Sequence, residues 1–569
     1  MGYSLGISAY FHESSVSLFL DGNLIGFSRE EYFSRVKGDK SFPRLAIQFY
    51  KKKYNLDSKN IDFACFYEKP LRGFLTIMVE AFKNLPEAKE LIFNNISNIK
   101  NSGLFFAYDM AKNLPISRDK IIYCPHHLSH VLSALPFMEK QVPHTAIVID
   151  GVGDSACTSV YEVNKGIIKL IKKIQYPQSL GLMYSAITDY LGFNINDGEY
   201  KVMALAAYGN STCEQKFREL VDDGCGELNI EAFQYYRSLR SSYSEEFVKV
   251  FGPRYDKLTT YPAIGSSEFC RAADVAFAAQ RYLENSVCEI FREVHERTGH
   301  GHFTFSGGVA LNSKLVSKLT EQDYIDFLFV PPNPGDSGAA IGAGVFAILK
   351  SGNEMQINKT PFLGPKPDDL DNPDVKDIFL TKCALKTDLW GDVAKLISEG
   401  EIIALVDGPA EVGPRALGHR SLLCDPRNLG AVKKLSQEVK GREEFRPLAP
   451  ACLDLYVDDW FLVSEKVRAS LKWMGSVVYP TDRCLRELVS VLHVDNTARL
   501  QIVDNRNLSF YQLLTKFYEF TNCPILINTS FNSGGDPIVL DVQDTISTSI
   551  RMGVEYVVLG KTLYKTKKQ

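Results

Sequence analysis

The chain lacks an excess of charge of either sign: 64 basic against 68 acidic residues in 569 give a formal net charge of −4. That balance excludes the electrostatic footprint of a nucleic-acid binder. The Lys51–Lys53 and Lys565–Lys568 clusters read as solvated faces or a tail. Twelve cysteines occur without a Cys-x-x-Cys pair or a regular spacing, so buried free thiols in a reducing compartment are expected. No apolar run is long enough to span a membrane; the best candidate, near Ala339–Leu349, is short and rich in Gly and Ala. A strand pattern opens at Tyr3, so no signal peptide is expected, and Gly6 stands where myristoylation requires Ser or Thr. There is no Gly-x-x-x-x-Gly-Lys-Ser/Thr motif, which excludes a P-loop enzyme, and no low-complexity tract. These absences predict a cytoplasmic protein without a membrane or nucleic-acid partner.

What is present is an ordinary globular composition, 45% apolar and 23% charged, long enough for two to four domains. Residues 1–360 alternate strand-like and helix-like stretches and predict an α/β domain. It opens with strands at Tyr3–Ile7, Ser15–Leu20 and Leu24–Ser28, with an Asp21-Gly22-Asn23 turn before the third. The same order returns at 145–176, as one strand, an Asp-Gly-x-Gly turn, and strands at Thr158–Glu162 and Ile167–Ile174. A duplicated unit of this kind, each half with a phosphate loop, is what the actin–sugar kinase fold would show. Residues 361–376, rich in Pro, Asp and Gly, read as a linker, and 377–569 as a second α/β domain.

Candidate chemistry begins with Pro125-His126-His127-Leu128-Ser129-His130. His126 and His130, four residues apart on a helix started by Pro125, share one face and can bind one ion. Asp150 ends the apolar run 145–149, and Asp336 opens a small-residue helix in Pro334-Gly335-Asp336-Ser337-Gly338. Two imidazoles and two carboxylates form a hard site, suited to iron(II), or to magnesium or manganese, more than to structural zinc. An isolated His-x-x-x-His is equally compatible with a packed helix, and an Asp after a strand with a turn. Around these residues lie Gly6-Ile7-Ser8-Ala9, Asp150-Gly151-Val152-Gly153 and Ser306-Gly307-Gly308-Val309-Ala310-Leu311-Asn312. The first two loops, with Gly151 and Gly153, can turn backbone N–H groups toward phosphate oxygens, and Gly307 and Gly308 would let the chain pass close to a base or ribose, with Asn312 as polar anchor. His12, just past the first loop, is placed to take a proton from an attacking hydroxyl, or simply to hold the loop.

The second domain carries cations in Pro- and Gly-flanked loops: Gly413-Pro414-Arg415-Ala416-Leu417-Gly418, Lys440-Gly441-Arg442-Glu443-Glu444-Phe445-Arg446-Pro447, and Arg499 beyond Asp495-Asn496. Asn528-Thr529-Ser530-Phe531-Asn532 follows. Rigidly placed cations of this kind suit a small phosphorylated anion.

These motifs, with Glu30-Glu31-Tyr32-Phe33-Ser34-Arg35-Val36-Lys37 and Gly198-Glu199-Tyr200-Lys201-Val202-Met203-Ala204, cover nearly the whole chain. Together they resemble the O-carbamoyltransferases of the NodU/CmcH family. The resemblance implies an actin/sugar-kinase-like ATPase domain, similar to threonylcarbamoyl transferases, followed by a YrdC-like domain. It implies that the YrdC-like half makes carbamoyl adenylate from carbamoyl phosphate and ATP. The first domain then passes the carbamoyl group to a hydroxyl of a small acceptor. By position it makes His126, His130, Asp150 and Asp336 metal ligands, His12 the base, and Lys37 a contact to the nucleotide phosphates. Arg415, Lys440, Arg446, Arg499, Ser530 and Asn532 become the carbamoyl phosphate and adenylate pocket, with Lys440 and Arg446 catalytic. Tyr10 falls where relatives contact the acceptor. Glu13 and Asp154 depart from the usual Asp and Glu, preserving charge but changing reach. A small-molecule kinase or a tRNA threonylcarbamoyl transferase on the same N-terminal fold is the alternative.

Overall fold

The computed structural model describes residues 2–114, 116–139, 142–224, 227–256, 261–370 and 379–567. Two compact units emerge, one of residues 1–25 and 39–358, the other of residues 26–38 and 359–569.

The first unit is built from two copies of one sheet. Strands β1 (Tyr3–Ser8), β2 (Ser15–Leu20), β3 (Asn23–Arg29), β4 (Ile61–Phe66) and β5 (Ile121–Tyr123) lie in the order β3-β2-β1-β4-β5. β1 pairs antiparallel with β2 and parallel with β4, which pairs parallel with β5. β6 (His144–Gly153), β7 (Ala156–Asn164), β8 (Ile167–Gln175), β9 (His302–Ser306) and β10 (Phe327–Phe329) repeat it in the order β8-β7-β6-β9-β10. Here too the first strand pairs antiparallel with the next and parallel with β9, and β9 runs parallel to β10. This is the duplication expected of an actin–sugar kinase fold. The two tight turns form as their residues dictate, with Asp21 and Gly22 at φ 47° and 82°, and Lys165 and Gly166 at 47° and 80°.

Two helices bring the halves' chemistry together. His126–Ala134 follows β5, and Asp336–Ser351 follows β10. The second is nearly all Gly, Ala and branched apolar residues, buried along most of its length. Small residues let its backbone approach its neighbours closely: a Cβ at Gly342 would lie 1.6 Å from the Ser129 carbonyl oxygen, and one at Gly6 1.9 Å from that of Ala340.

The second unit is a mixed sheet of eight strands around one large apolar core. They are β11 (Leu380–Lys382), β12 (Ile403–Val406), β13 (Arg420–Cys424), β14 (Ala449–Leu453), β17 (Gln501–Val503), β18 (Ile525–Ser530), β19 (Tyr556–Leu559) and β20 (Thr562–Thr566). β15 (Phe461–Leu462) and β16 (Tyr479–Pro480) form a separate two-stranded ribbon. The sheet order is β11-β20-β19-β12-β13-β18-β14-β17.

Two boundaries differ from the sequence expectation. Residues 371–376 of the expected linker lie outside the described residues, but 361–370 are built into the second unit. Val412 donates to the Pro361 carbonyl at 2.8 Å, Phe362 stacks on His419 with centroids 3.8 Å apart, and Leu370 is fully buried in the core. Residues 26–38, expected in the first domain, also belong to the second unit. Tyr32 packs with Ala410, Ile538 and Leu540, and Arg35 reaches the Ile538 carbonyl at 2.9 Å and Asp544 at 3.2 Å. Burial of Tyr32 and pairing of Arg35 outweigh chain proximity in assigning this segment.

Gly342→Val forces side-chain atoms into the Ser129 carbonyl, at an expected cost of about 2 kcal/mol or more. A denaturant midpoint equal to that of the unaltered protein would refute the close approach.

Candidate metal centre and cationic pocket

Pro125 starts the helix, and its first turns carry His126 and His130 on one face. His127 points elsewhere: its Nδ1 lies 2.7 Å from Ser159 Oγ, and burial pushes its pKa well down, keeping it neutral. Asp150 sits within β6 and Asp336 is the first residue of its helix. The four side chains converge. His126 Nε2 lies 3.2 Å from Asp150 Oδ2 and 3.5 Å from Asp336 Oδ1. His130 Nε2 lies 3.1 Å from Asp150 Oδ2 and 3.2 Å from Asp336 Oδ1. The two Nε2 atoms are themselves 3.1 Å apart.

All four residues are buried, with their donor atoms within 4.8 Å of one another. An ion among them would sit roughly 2 to 2.5 Å from each, within the range of metal–nitrogen and metal–oxygen bonds. His130 Nδ1 faces the Pro334 carbonyl at 3.1 Å, so it carries the proton and leaves the Nε2 lone pair for the site. Asp150 Oδ1 accepts the N–H groups of Gly151 at 2.8 Å and Gly308 at 3.2 Å, which fix the carboxylate. Burial alone would lower the pKa of His126 and His130, but Asp150 and Asp336 more than reverse it and raise both. Burial likewise opposes ionisation of Asp150, and the two imidazoles hold it far below the ordinary carboxylate value. The donor set therefore calls for positive charge at its centre, and the residues present fit a divalent metal.

Around this centre the loop residues make contacts within the fold. The N–H groups of Gly151 and Gly308 donate to Asp150. Gly153 makes room for a ring, since a Cβ there would lie 2.0 Å from His126 Cδ2. Gly307, at φ 90°, donates to the Pro334 carbonyl at 2.9 Å and passes tightly over the Ile149 carbonyl. Asn312 caps the helix Ser313–Thr320, accepting from Leu315 N at 3.1 Å, and exchanges hydrogen bonds with Gln280. Its amide is thus held by the fold on both its oxygen and its nitrogen.

His12 joins the centre through Nε2, 3.4 Å from Asp336 Oδ2, while its buried Nδ1 has no hydrogen-bond partner. The Tyr10 phenol donates to Asp109 Oδ2 at 2.6 Å, and burial raises its pKa. Glu13 accepts from Ser337 Oγ at 2.9 Å, and Asp154 accepts from the backbone of both Lys69 and His126 at 2.7 and 3.1 Å. Both departures from the expected residue type thus anchor backbone or hydroxyl groups. Glu68 escaped the sequence reading. Burial, with Asp154 and Asp336 nearby and His126 opposing, pushes its carboxyl up to about 7. No spacing in the sequence marks it.

The second unit gathers Lys440, Arg442, Arg446 and Lys37. Lys440 ends a π-helical turn, Lys434–Val439, and its Nζ donates to the Ser530 carbonyl at 2.8 Å and to the Asn532 carbonyl and Oδ1 at 2.5 and 2.7 Å. Burial, followed by the charges of Arg442, Arg446 and Lys37, holds its pKa well below the usual lysine value. Lys37 therefore belongs with this pocket, in the second unit. Ser530 Oγ donates to Asn532 Oδ1 at 2.7 Å, and Arg446 pairs with Glu443 at 2.9 Å. Arg442, passed over in the sequence although it follows Lys440 by two residues, donates to Thr529 Oγ1 at 2.5 Å. Arg499 is half-buried just before β17, and Arg415 is half-buried in the loop 413–418.

A buried polar network fixes that loop. Glu411 Oε1 accepts the N–H groups of Leu417, His419 and Arg420 at 2.8, 3.1 and 3.2 Å. Gln501 and Asn507 each donate to the Leu417 carbonyl at 2.8 Å, and Asn528 to that of Ala416 at 3.1 Å. Arg420 is spent on carbonyl groups of Asp407, Gly408, His419 and Leu540.

With this geometry in place, comparison with known proteins gives the family. The family models described as carbamoyltransferase N-terminus and C-terminus match residues 3–345 and 394–566. An uncharacterized protein of Synechocystis sp. is 32% identical, over 98% of this chain and 96% of its own length. The nodulation protein NolNO of Sinorhizobium fredii is 29% identical over 98% of this chain and 79% of its own. The 3'-hydroxymethylcephem-O-carbamoyltransferase of Amycolatopsis lactamdurans is 26% identical over 78% of this chain and 81% of its own. Among the described residues, no helix is long and apolar enough to cross a membrane. Both halves of the chain, matched in order and nearly end to end, make it a transferase enzyme and a member of the carbamoyltransferase family.

Proposed function

We propose that the protein is an ATP-dependent O-carbamoyltransferase acting on a hydroxyl of a small molecule. The observation that carries this reading is the pairing, in one carbamoyltransferase chain, of a buried imidazole–carboxylate centre with a separate cationic pocket around Lys440. The cephem O-carbamoyltransferase among its relatives supports an oxygen acceptor.

In the first step, carbamoyl phosphate, water and ATP give carbamoyl adenylate, orthophosphate and pyrophosphate. The YrdC-like second unit would perform it. Lys440 and Arg446, with Lys37, Arg415 and Arg499, supply positive charge toward phosphate oxygens. Asn532 and the Ser530 carbonyl hold the Lys440 ammonium in place. In the second step, the acceptor oxygen bonds to the carbamoyl carbon, and the bond from that carbon to the phosphate oxygen breaks. AMP leaves with the electron pair. The hydroxyl proton passes to the imidazole of His12, which Asp336 orients through Nε2 at 3.4 Å. Iron(II), or magnesium or manganese, held by His126, His130, Asp150 and Asp336 would supply a Lewis acid beside the reacting carbonyl.

Purified protein with ATP and no acceptor is expected to release pyrophosphate only when carbamoyl phosphate is added. ATP turnover indifferent to carbamoyl phosphate would favour a kinase instead. Lys440→Ala is expected to abolish that release, roughly a hundredfold or more. His130→Ala should retain it and lose transfer; equal loss of the first step in both variants would refute two separate sites.

The Lys440 pKa gives a pH signature. Its folded value is lowered, so between that value and about 10.4 the unfolded chain binds the extra proton and stability rises with pH. Below the folded value the penalty is complete. Ligand-free Lys440→Met should therefore melt higher than the unaltered protein at neutral pH, with the gap narrowing as pH rises; a gap independent of pH would contradict the assignment.

A further inference from the structure

The helix Pro70–Lys83 leaves the end of β4 and exposes four large apolar side chains, of which Leu71, Leu75 and Val79, at 60%, 50% and 54%, share one face. Spaced four residues apart, they form one stripe along the helix. That stripe lines an open groove of about 580 Å³ whose far wall includes Ser155, Gln175 and Tyr176. From Leu71 to Val79 the floor runs about 12 Å at 1.5 Å per residue, enough for a medium-length aliphatic chain.

One end of the groove is joined to the catalytic region. Lys69 N and His126 N donate to the two oxygens of one carboxylate, Asp154, at 2.7 and 3.1 Å. The same end is cationic. Lys69 and Arg72 line it, and Lys173 lies near Arg72, its ammonium donating to Ser155 Oγ at 2.6 Å. Of the carboxylates nearby, Glu80 is engaged by Lys83 at 2.9 Å and Asp154 by the two backbone groups. A ligand that matches the groove is therefore apolar along the helix and negative at its head.

We propose that this groove is the acceptor subsite and that the acceptor is a hydroxylated amphiphilic anion. Its aliphatic chain lies along Leu71, Leu75 and Val79, and its anionic, hydroxyl-bearing head lies at Lys69 and Arg72. This rests on the O-carbamoyltransferase reading and adds the substrate class to it. The reaction is the transfer already written, with the hydroxyl of the amphiphile as the attacking oxygen and AMP as the leaving group.

The test is calorimetric titration of the full chain with 3-hydroxydecanoate and 3-hydroxybutyrate, which share a head and differ in tail. The longer compound is expected to bind at least tenfold more tightly. Arg72→Glu and Leu75→Glu, both at exposed positions, are each expected to weaken it at least tenfold, while Phe93→Glu, on the separate helix Lys89–Ser97, leaves binding unchanged. Equal affinity for the two compounds, or equal loss in Phe93→Glu, would overturn the subsite. Self-association of the unaltered protein that Leu75→Glu abolishes would assign the stripe to a second copy and also overturn it. Carbamoyl-phosphate-dependent pyrophosphate release by the unaltered protein, measured in parallel without acceptor, tests the underlying reading separately.

Discussion

The buried imidazole–carboxylate centre depends on one backbone contact. Asp150 comes from β6, but the histidines and Asp336 come from two helices more than two hundred residues apart in sequence, and the helices meet where Gly342 faces the Ser129 carbonyl without a side chain between them. Gly6 and Gly344 serve the same helix against β1 and β2. A side chain at any of these positions would press its helix away from its neighbours, since a Cβ there meets another atom at 1.6 to 2.3 Å. The small-residue run that looks compositionally bland is thus the part of the chain that fixes the distance between imidazole and carboxylate.

The second unit solves a different problem. Its cations lie close enough to oppose one another's charge, as the lowered pKa of Lys440 records. The opposing cost is met by polar groups placed behind them. Three carbonyl oxygens grip Lys440, and one oxygen of Glu411 gathers the N–H groups of Leu417, His419 and Arg420 just past the Arg415 turn. Most donors in this network find acceptors, while Glu411 Oε2 and the Oδ1 atoms of Asn507 and Asn528 are buried without a hydrogen-bond partner.

Much of the first unit was legible in the sequence because its signals are local. The turn pairs at Asp21-Gly22 and Lys165-Gly166, the alternation of strands, and the four-residue histidine spacing each follow from neighbours along the chain. The destination of residues 26–38 was not, because a short helix with a tyrosine and an arginine carries no mark of which core will bury it. Nor were the hydrogen bonds that Gly151, Gly308 and Asn312 make within the fold visible. A glycine loop offers N–H groups, but the acceptor it finds is decided by the fold, and here it is Asp150. Glu411, Gln501, Asn507 and Asn528 are scattered over more than a hundred residues, and only their convergence on one loop gives them meaning.

The excursion of residues 26–38 has a consequence for how such a chain can be taken apart or inherited. The backbone crosses between the units after residues 25, 38 and 358, so no single cut separates them. A fragment ending near residue 358 would carry Tyr32 and Arg35 without the surface that buries them, and a fragment beginning there would lack a piece of its own wall. Neither half can be exchanged as a cassette by one recombination event, so this arrangement binds the two units into a single heritable module.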